Sequence, residues 1–291
     1  MIIRLGRLEA TILCSLMIFA SFIAAVAYET KSTAAATHTQ TFSLPVVMYH
    51  HVTENESKAG KYTVLTREFE NDLKLIKSQG YTTVTVRELI DFVKNGKPLP
   101  DKPIMLTFDD GFESFYALAF PLLQRYNLKA VVSVIGSVTE RYSTIDDHNI
   151  NYSNLNFDEI SELDKSGIVE IQNHSYDMHK NSAKSRKGMS KLMNESNAEY
   201  SKALEADLMA AQRALWDNCR IKPTAVAYPY GAYSKQTLAI VKNCGFECTM
   251  LCEEKINKIT QGDSECLYGL GRYNRESGIS SEDFFRNILT D

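Results

Sequence analysis

The stretch Ile104–Phe112, IMLTFDDGF, decides the fold and raises the question of function. Residues 104–108 form a short strand pattern, and Asp109, Asp110 and Gly111 follow it directly. Side chains alternate along a strand, so two adjacent aspartates at its end point in different directions. One could hold a metal ion while the other moves a proton. Asp-Gly is also a common turn pair, so this stretch alone leaves a plain turn open.

Strand and helix patterns alternate along the rest of the chain. Further strands are predicted at 44–52, 129–136, 168–172, 224–228 and 246–252. Helical spacing or capping signals lie between them, in 65–81, after Thr85, around 113–126 with a break at Pro121, and at 202–217 and 234–243. This alternation indicates a mainly parallel α/β sheet, and six or seven such units favour a closed or nearly closed barrel. Chemistry is then expected at the carboxyl ends of the strands.

The N-terminus predicts export. Arg4 and Arg7 precede an apolar run from Ala10 to Ala27, so residues 1–28 are interpreted as a signal peptide or membrane anchor. The small residues at 25–27 suit cleavage, but the run is also nearly long enough to span a bilayer. Positive charge before the run places the remainder outside the cytoplasm, secreted or attached to the cell envelope. Residues 29–43 follow as a polar linker, and 44–291 as one domain.

Composition excludes some functions. The chain has 291 residues, a formal net charge of -4 and a pI near 5.9, so no general basic field attracts nucleic acid. Six cysteines in such a length do not make a disulfide scaffold. The evenly spaced Cys244, Cys248 and Cys252 lack a CxxC pattern, so they are interpreted as core residues, with a disulfide left open and a zinc cluster disfavoured.

A histidine pair supplies the missing partners for the aspartates. In NHSYDMH (173–179), His174 and His179 are five residues apart, and on a loop leaving a strand both rings can turn to one point. Two histidines and one aspartate, with open positions for water, are typical of a catalytic metal site. If Asp110 joins them, a bound water becomes more acidic, and Asp109 is placed to take its proton.

TFDDG, HSYDMH and YPYG together resemble three motifs of the NodB-type polysaccharide deacetylases, carbohydrate esterase family 4. The similarity runs in matching order from about Leu44 to Gly271, and the five-residue spacing resembles that of poly-N-acetylglucosamine deacetylases. The resemblance implies a distorted (β/α) barrel of about seven parallel strands. It also implies removal of N-acetyl groups from cell-wall or surface polysaccharides with one divalent metal, usually zinc, with cobalt or nickel as alternatives.

By motif, the resemblance makes Asp109 the general base and Asp110, His174 and His179 the metal ligands. Tyr230 would offer its backbone N–H to the developing oxyanion. Two family features are absent from their usual places. The third motif has Ala227 and Tyr228 where an Arg usually precedes its Pro-Tyr, so the Arg role is missing or filled from elsewhere, and the last motif, here LYGLGRYNRE, has no histidine.

The missing acid is assigned by elimination. His38 lies in the linker and His148 in a polar stretch interpreted as surface, which leaves His50 and His51 as the histidines that follow a strand. Either could protonate the leaving amine or orient Asp109, and either could be a hydrogen-bonded structural histidine. We assign the catalytic role to His50. Three neighbours are predicted to contact the substrate: Tyr49, His51 and Pro229.

Three alternatives stay open from the sequence. The same base and metal would serve an esterase on O-acetylated polysaccharide or an amidase on a small cyclic amide. A glycan-binding scaffold that has lost its general acid is the non-enzymatic alternative. Phosphoryl transfer at two metals would need more ligands than the motifs provide. A monomer acting on an N-acetylated polysaccharide is expected, with membrane contact only through an uncleaved N-terminus.

Overall fold

The computed structural model describes residues 19–20, 39–181 and 186–289. By its contacts, Thr41–Asp291 forms one unit. The predicted signal or anchor segment lies outside the described residues except for Phe19 and Ala20, and so does most of the predicted linker. Within the described ranges, no helix is long and apolar enough to cross a membrane.

The centre of the unit is a sheet of seven strands whose neighbours all run parallel. In sheet order these are β10 (Cys248–Met250), β9 (Ala225–Ala227), β8 (Val169–Asn173), β7 (Ala130–Val134), β6 (Pro103–Phe108), β2 (Val46–Tyr49) and β12 (Tyr273–Asn274). The short β5 (Thr82–Thr83) also pairs with β6. The predicted parallel α/β sheet is confirmed.

The two edges of this sheet are brought together by the chain that precedes β12. Met250 in β10 forms a parallel bridge with Leu270, and β12 begins three residues later beside β2. The backbone N–H of Arg272 also donates to the carbonyl of Glu253, just beyond β10. The sheet therefore curves into a distorted barrel that the segment from Leu270 to β12 completes.

Two short pairs of strands lie outside the sheet. β1 (Thr41–Leu44) pairs antiparallel with β11 (Asn257–Thr260), and β3 (His51–Thr53) pairs with β4 (Thr63–Leu65). Because β1 includes Thr41–Ser43, the folded unit begins three residues before the predicted domain start, inside the range interpreted as linker. Leu44 at its end is fully buried.

The α-helices of the described residues cover the sheet. They are α1 (Thr66–Ser78), α2 (Val86–Asn95), α3 (Phe120–Tyr126), α4 (Gly136–Tyr142), α5 (Phe157–Lys165), α6 (Asn197–Cys219), α7 (Thr237–Asn243) and α8 (Ser281–Phe285). Thr85 and Glu88 form the predicted capping box of α2. The predicted break at Pro121 is confirmed, because a π-helical segment, Phe115–Ala119, precedes α3.

Alternation along the strands gives the sheet two apolar faces. Tyr49 of β2 and Phe108 of β6 belong to one buried cluster, which also contains Phe69 and Leu73 of α1. Val46 and Met105, one step out of phase with them, belong to a second cluster with residues of α2. β2 and β6 are therefore buried on both sides, as continuous apolar runs in a parallel sheet require.

The five cysteines outside the N-terminal segment are free thiols. Cys248 is buried in β10, and the other four are partly or largely exposed: Cys219, Cys244, Cys252 and Cys266. The disulfide left open by the sequence therefore does not form among the described residues. None of these thiols belongs to a group of possible metal ligands in the described part of the chain.

Candidate active site

The predicted site lies where the parallel strands end. Asp109 follows β6, His174 follows β8, Tyr230 follows β9 and His50 follows β2. All four line one polar cavity of about 480 Å³, together with the predicted ligands Asp110 and His179. The structure therefore brings together six of the nine residues singled out from the sequence, at the barrel end where (β/α) barrels carry their chemistry.

Asp109 is held rigidly by a buried arginine. The guanidinium of Arg272 donates to both carboxylate oxygens, Nη1 to Oδ1 at 2.7 Å and Nη2 to Oδ2 at 2.8 Å. Arg272 is itself fixed, because its Nε donates to the carbonyl of Leu251 and its Nη1 to the hydroxyl of Thr107. Such bidentate pairing fixes both the position and the plane of a carboxylate.

The same pairing keeps Asp109 ionised. Burial alone would raise the pKa of Asp109, but the Arg272 charge, followed by His174, holds it below its ordinary value. The pKa of Arg272 is raised in turn, because the attraction of Asp109 outweighs the loss of hydration on burial. Asp109 is thus a buried, charged and oriented carboxylate, as a general base requires.

Asp110, His174 and His179 converge on one point. Their potential ligand atoms all lie within 4.8 Å of one another, and Nε2 of His174 and of His179 are 3.4 and 3.1 Å from Asp110 Oδ1. Burial opposes ionisation of Asp110, but the two imidazoles hold its pKa well below the ordinary value. The carboxylate is therefore charged at neutral pH.

The donor atoms of this cluster fit a divalent cation. Nδ1 of His174 lies 2.8 Å from the carbonyl oxygen of Ala227, so it donates there and leaves the Nε2 lone pair directed at Asp110. This is the orientation that outer partners impose on metal-binding histidines. Asp110 Oδ1 is buried and accepts no hydrogen bond from the described residues. One cation among these three side chains would satisfy both atoms.

Tyr230 supports His179 from the turn after β9. Its hydroxyl lies 3.1 Å from Nδ1 of His179, and the two ring centroids are 4.5 Å apart. Tyr230 has a φ of 58°, in the left-handed region that costs a non-glycine residue energy. The turn therefore holds Tyr230 in an uncommon backbone conformation beside His179.

His50 faces the cavity and has no fixed partner for one ring nitrogen. Its Nδ1 is buried and makes no hydrogen bond with the described residues. Its ring packs edge-on against Tyr62, with 5.0 Å between centroids. Burial lowers the pKa of His50 below its ordinary value, although Asp109 and Asp110 act in the opposite direction. His50 is therefore the histidine of the pair that can reach a substrate.

The three residues predicted to bind substrate do not line the cavity. Tyr49 is fully buried, stacked on Phe108, and its hydroxyl donates to Asp72 at 3.0 Å. His51 is buried against Phe112. Pro229 is buried at the start of its turn, where its carbonyl accepts the N–H of Ala232. These predictions are corrected: Tyr49 points to the helix-covered face, His51 packs on Phe112 outside the cavity lining, and Pro229 shapes the turn that presents Tyr230.

Arg272 is the residue that sequence reasoning missed. Arg272 takes the place of the arginine that the third motif lacks. It lies before β12 in LYGLGRYNRE, the segment where the family usually has its last-motif histidine. Its partner lies 163 positions earlier in the chain. The signal available was an arginine after a glycine pattern, which carries no information about its partner.

The cavity has a mixed polar rim. Beyond the site residues, several side chains line it, including Lys61, Tyr62, Asn181, Lys187, Cys252, Glu254, Asn274 and Glu276. Aromatic and charged groups arranged around an open polar cavity suit a hydrated, hydroxyl-rich ligand better than an apolar one.

Comparison with known proteins agrees with this geometry. A Staphylococcus aureus (strain MRSA252) protein named poly-beta-1,6-N-acetyl-D-glucosamine N-deacetylase is 32% identical over 198 residues, which is 67% of this chain and 62% of the relative. This chain thus spans less than two thirds of that relative's length. Two solved structures resemble the fold: a de-N-acetylase from Aggregatibacter actinomycetemcomitans and IcaB from Ammonifex degensii, both 25% identical. Their TM-scores are 0.71 and 0.66, covering 85% and 80% of this chain and 100% and 91% of theirs.

The family model for polysaccharide deacetylases matches residues 96–249. This range is more than half of the chain and contains Asp109, Asp110, His174, His179 and Tyr230, whereas His50 and Arg272 lie outside it. A matching model, a related sequence and a barrel that assembles the motif residues at one strand-end cavity agree with one another, and the chain belongs to the polysaccharide deacetylase family.

Proposed function

We propose that the chain is a metal-dependent N-deacetylase of an extracellular amino-sugar polysaccharide of the poly-β-1,6-N-acetylglucosamine type. The observation that carries this proposal is Asp109, ionised and clamped by Arg272, beside three convergent metal ligands. The name of the Staphylococcus aureus relative supports the substrate class. The apolar N-terminal segment supports export to where such polymers lie.

Asp110, His174 and His179 would hold one divalent cation. Zinc suits two imidazoles and one carboxylate with open positions, and cobalt or nickel would be accepted by the same donors. The chemistry that such a cation supplies is Lewis acidity, toward water and toward the acyl oxygen of the substrate.

Asp109 would act as the general base. One of its oxygens takes a proton from the attacking water while the water oxygen bonds to the acetyl carbon. Arg272 keeps the carboxylate charged and fixed during this transfer, so that little reorganisation is needed when the proton moves. Arg272 is a positioning residue, because it is buried behind Asp109 and does not line the cavity.

His50 would act on the leaving nitrogen. The bond between the acetyl carbon and the sugar nitrogen breaks as the nitrogen takes a proton, and His50 is the cavity histidine outside the metal cluster that could deliver it. The products are acetate and a free amino sugar. The backbone N–H of Tyr230 is proposed to meet the negative charge that develops on the acyl oxygen.

The scaffold alternative loses its main support. It depended on a missing arginine and a missing histidine, and Arg272 and His50 are placed to supply both functions. The O-acetyl esterase alternative uses the same base and metal, so only a change of leaving group distinguishes it.

The test is acetate release by metal-stripped protein restored with zinc, cobalt or nickel. Substrates would be β-1,6-linked N-acetylglucosamine oligomers, peptidoglycan and an O-acetylated polysaccharide, with Asp109→Asn as control. Metal-dependent release from the β-1,6 oligomers that Asp109→Asn abolishes is expected. Release from the O-acetylated polymer alone would establish the esterase instead. No release from any of them, with metal bound at Asp110, His174 and His179, would refute the hydrolase and revive a binding role.

A further inference from the structure

A second group of potential metal ligands lies outside the cavity. It consists of Glu113, His148 and Glu159, whose ligand atoms also lie within 4.8 Å of one another. The sequence suggested that His148 was a surface residue, and its side chain is indeed half exposed. However, it faces two nearly buried carboxylates, with Nδ1 2.9 Å from Glu159 Oε1 and 3.4 Å from Glu113 Oε1.

The cluster has more acceptors than donors. The side chain of Glu113 is 5% exposed, and its Oε2 is buried without a hydrogen-bond partner among the described residues. Glu159 Oε2 accepts the backbone N–H of Asn156 in the capping box of α5, which leaves Oε1 for His148. A single imidazole nitrogen is therefore the side-chain donor shared by two buried carboxylates. Uncompensated buried carboxylates are costly unless paired or bound to a cation.

The outer nitrogen of His148 lies near the exposed carboxylate of Asp146. Nε2 lies 3.3 Å from Oδ1 of Asp146. With a cation in place of the shared proton, Nε2 can donate to such a carboxylate while Nδ1 presents its lone pair, an arrangement that recurs around metal ligands. Here that other nitrogen, Nδ1, points at both glutamates.

We propose that Glu113, His148 and Glu159 bind a second divalent cation, of the zinc or manganese class, which has a structural role. One nitrogen and two carboxylate ligands suit such ions, and the half-exposed His148 leaves room for water at the remaining positions. The site is separate from Asp110, His174 and His179, and it does not depend on the proposed reaction.

This second group of ligands lies beside the turn that presents Asp110, and hydrogen bonds connect the two. Backbone N–H of Glu113 donates to Ser153 at 2.8 Å, Nδ2 of Asn154 donates to the carbonyl of Asp110 at 2.9 Å, and Leu155 N–H donates to Gly111 at 2.8 Å. A cation on Glu113 and His148 would clamp the chain from 146 to 156 against the turn that presents Asp110. That turn has φ 71° at Asp110, so it needs such external support.

The test counts metal ions with the first site removed. The untagged full chain carrying Asp110→Ala and His179→Ala would be stripped, dialysed against zinc or manganese and analysed by elemental mass spectrometry. The expected result is about one ion per chain, and its loss when His148→Ala is added. His148 is half exposed, so this change should not unfold the protein; Glu159→Gln, which preserves the helix cap, is the second variant.

A matched control is Asp164→Asn, an exposed carboxylate on α5 that is not part of the cluster. In the same background it should keep the ion and the zinc-dependent rise in thermal midpoint that His148→Ala loses. The proposal is overturned if the background binds no ion, or if its ion remains after both His148→Ala and Glu159→Gln. The three residues are then a hydrogen-bonded group that shares a proton.

Discussion

Arg272 and Asp109 show how a buried charge pair can serve a reaction more than it serves stability. Taking both groups out of water costs several kcal/mol each, and the bidentate contact roughly offsets this cost. Removing one partner leaves the other charged and buried, a loss of about 3–5 kcal/mol. What the pair contributes instead is a carboxylate in one position and one protonation state.

Arg272→Lys is expected to lower the rate of acetate release by about a hundredfold, because a lysine holds a carboxylate at one point and lets its plane turn. The measurement is kcat on a β-1,6-linked oligomer at saturating zinc, together with the thermal midpoint. The control is Arg275→Lys. Arg275 directly follows β12 in the chain, and the change breaks a second buried bidentate contact, the one between Arg275 and Asp72.

Both lysine variants should be less stable than the wild type, but only Arg272→Lys should show the hundredfold decrease in kcat. If the two variants lose activity in proportion to their stability alone, Arg272 has no positioning role.

His50→Ala is expected to lower turnover by about a hundredfold or more, as loss of a general acid does. His51→Ala serves as the neighbouring control, because His51 packs against Phe112 away from the cavity. Its cost should appear in the thermal midpoint and leave turnover within a few-fold of the wild type. Equal turnover of the His50→Ala variant and the wild type would remove His50 from the mechanism.

At the scale of the element, three strands of the barrel are followed by a residue with an unusual backbone conformation. Asp110, Ser175 and Tyr230 all have φ between 58° and 77°, and each lies within three residues of the end of β6, β8 or β9. The other two non-glycine residues with positive φ, among those described, cap the carboxyl ends of α3 and α6. Strain of about 1–3 kcal/mol per residue is concentrated where the site is built.

Strand alternation explains which site residues the sequence could predict. Asp109 and His50 lie on the inner side of their strand ends, and both were assigned from motif and position. Tyr49 is the last residue of β2 and directly precedes His50, so strand alternation turns its ring to the opposite face, where it stacks on Phe108. Applying the rule to β2 as well as to β6 would have avoided that error.

Other features could not be read from local sequence. Arg272 reaches Asp109 only because Met250 pairs with Leu270 and the barrel closes, a long-range event without a local pattern. α5 has the capping pair Asn156 and Glu159 but was not predicted, because the helix is short and little periodicity accompanies the cap. The main strands, in contrast, are continuous apolar runs whose burial on both faces follows from composition alone.

β1 sets the true start of the folded unit, and a chain that begins at Pro45 should therefore be less stable than one that begins at Thr41. The shorter chain loses the pairing of β1 with β11 and the buried side chain of Leu44, worth about 1.5–3 kcal/mol for the leucine alone. Urea unfolding of both chains measures the difference. Equal midpoints would show that β1 adds nothing to the stability of the fold, in agreement with the linker predicted over 29–43.

At the scale of the whole molecule, the site is assembled by closure of the barrel. The proposed base comes from the end of β6, the proposed metal ligands from the ends of β6 and β8, the proposed oxyanion donor from the turn after β9, and Arg272 from the chain before β12. No two neighbouring elements contain all of these residues. Metal binding at such a convergent point stabilises the folded state, because the unfolded chain does not hold the three ligands together.

Metal removal should therefore lower the thermal midpoint of the full chain, and each of the two cations should contribute to this decrease. A ligand at one hundred times its Kd adds about 2.7 kcal/mol to the folded state, so chelation should cost the wild type several degrees. Asp110→Ala should remove the part due to the catalytic cation, and His148→Ala the part due to the proposed second cation. The shift on chelation is measured by calorimetry for the wild type, each variant and the double variant.

The double variant should show no shift at all, because both groups of ligands then lack a member. A full wild-type shift in the double variant would mean that the cation acts elsewhere. A shift that Asp110→Ala alone abolishes would leave one metal site and refute the second. Since Asp110 and Glu113 belong to the same turn, the two parts need not add, and a shortfall from additivity would measure the coupling between the sites through that turn.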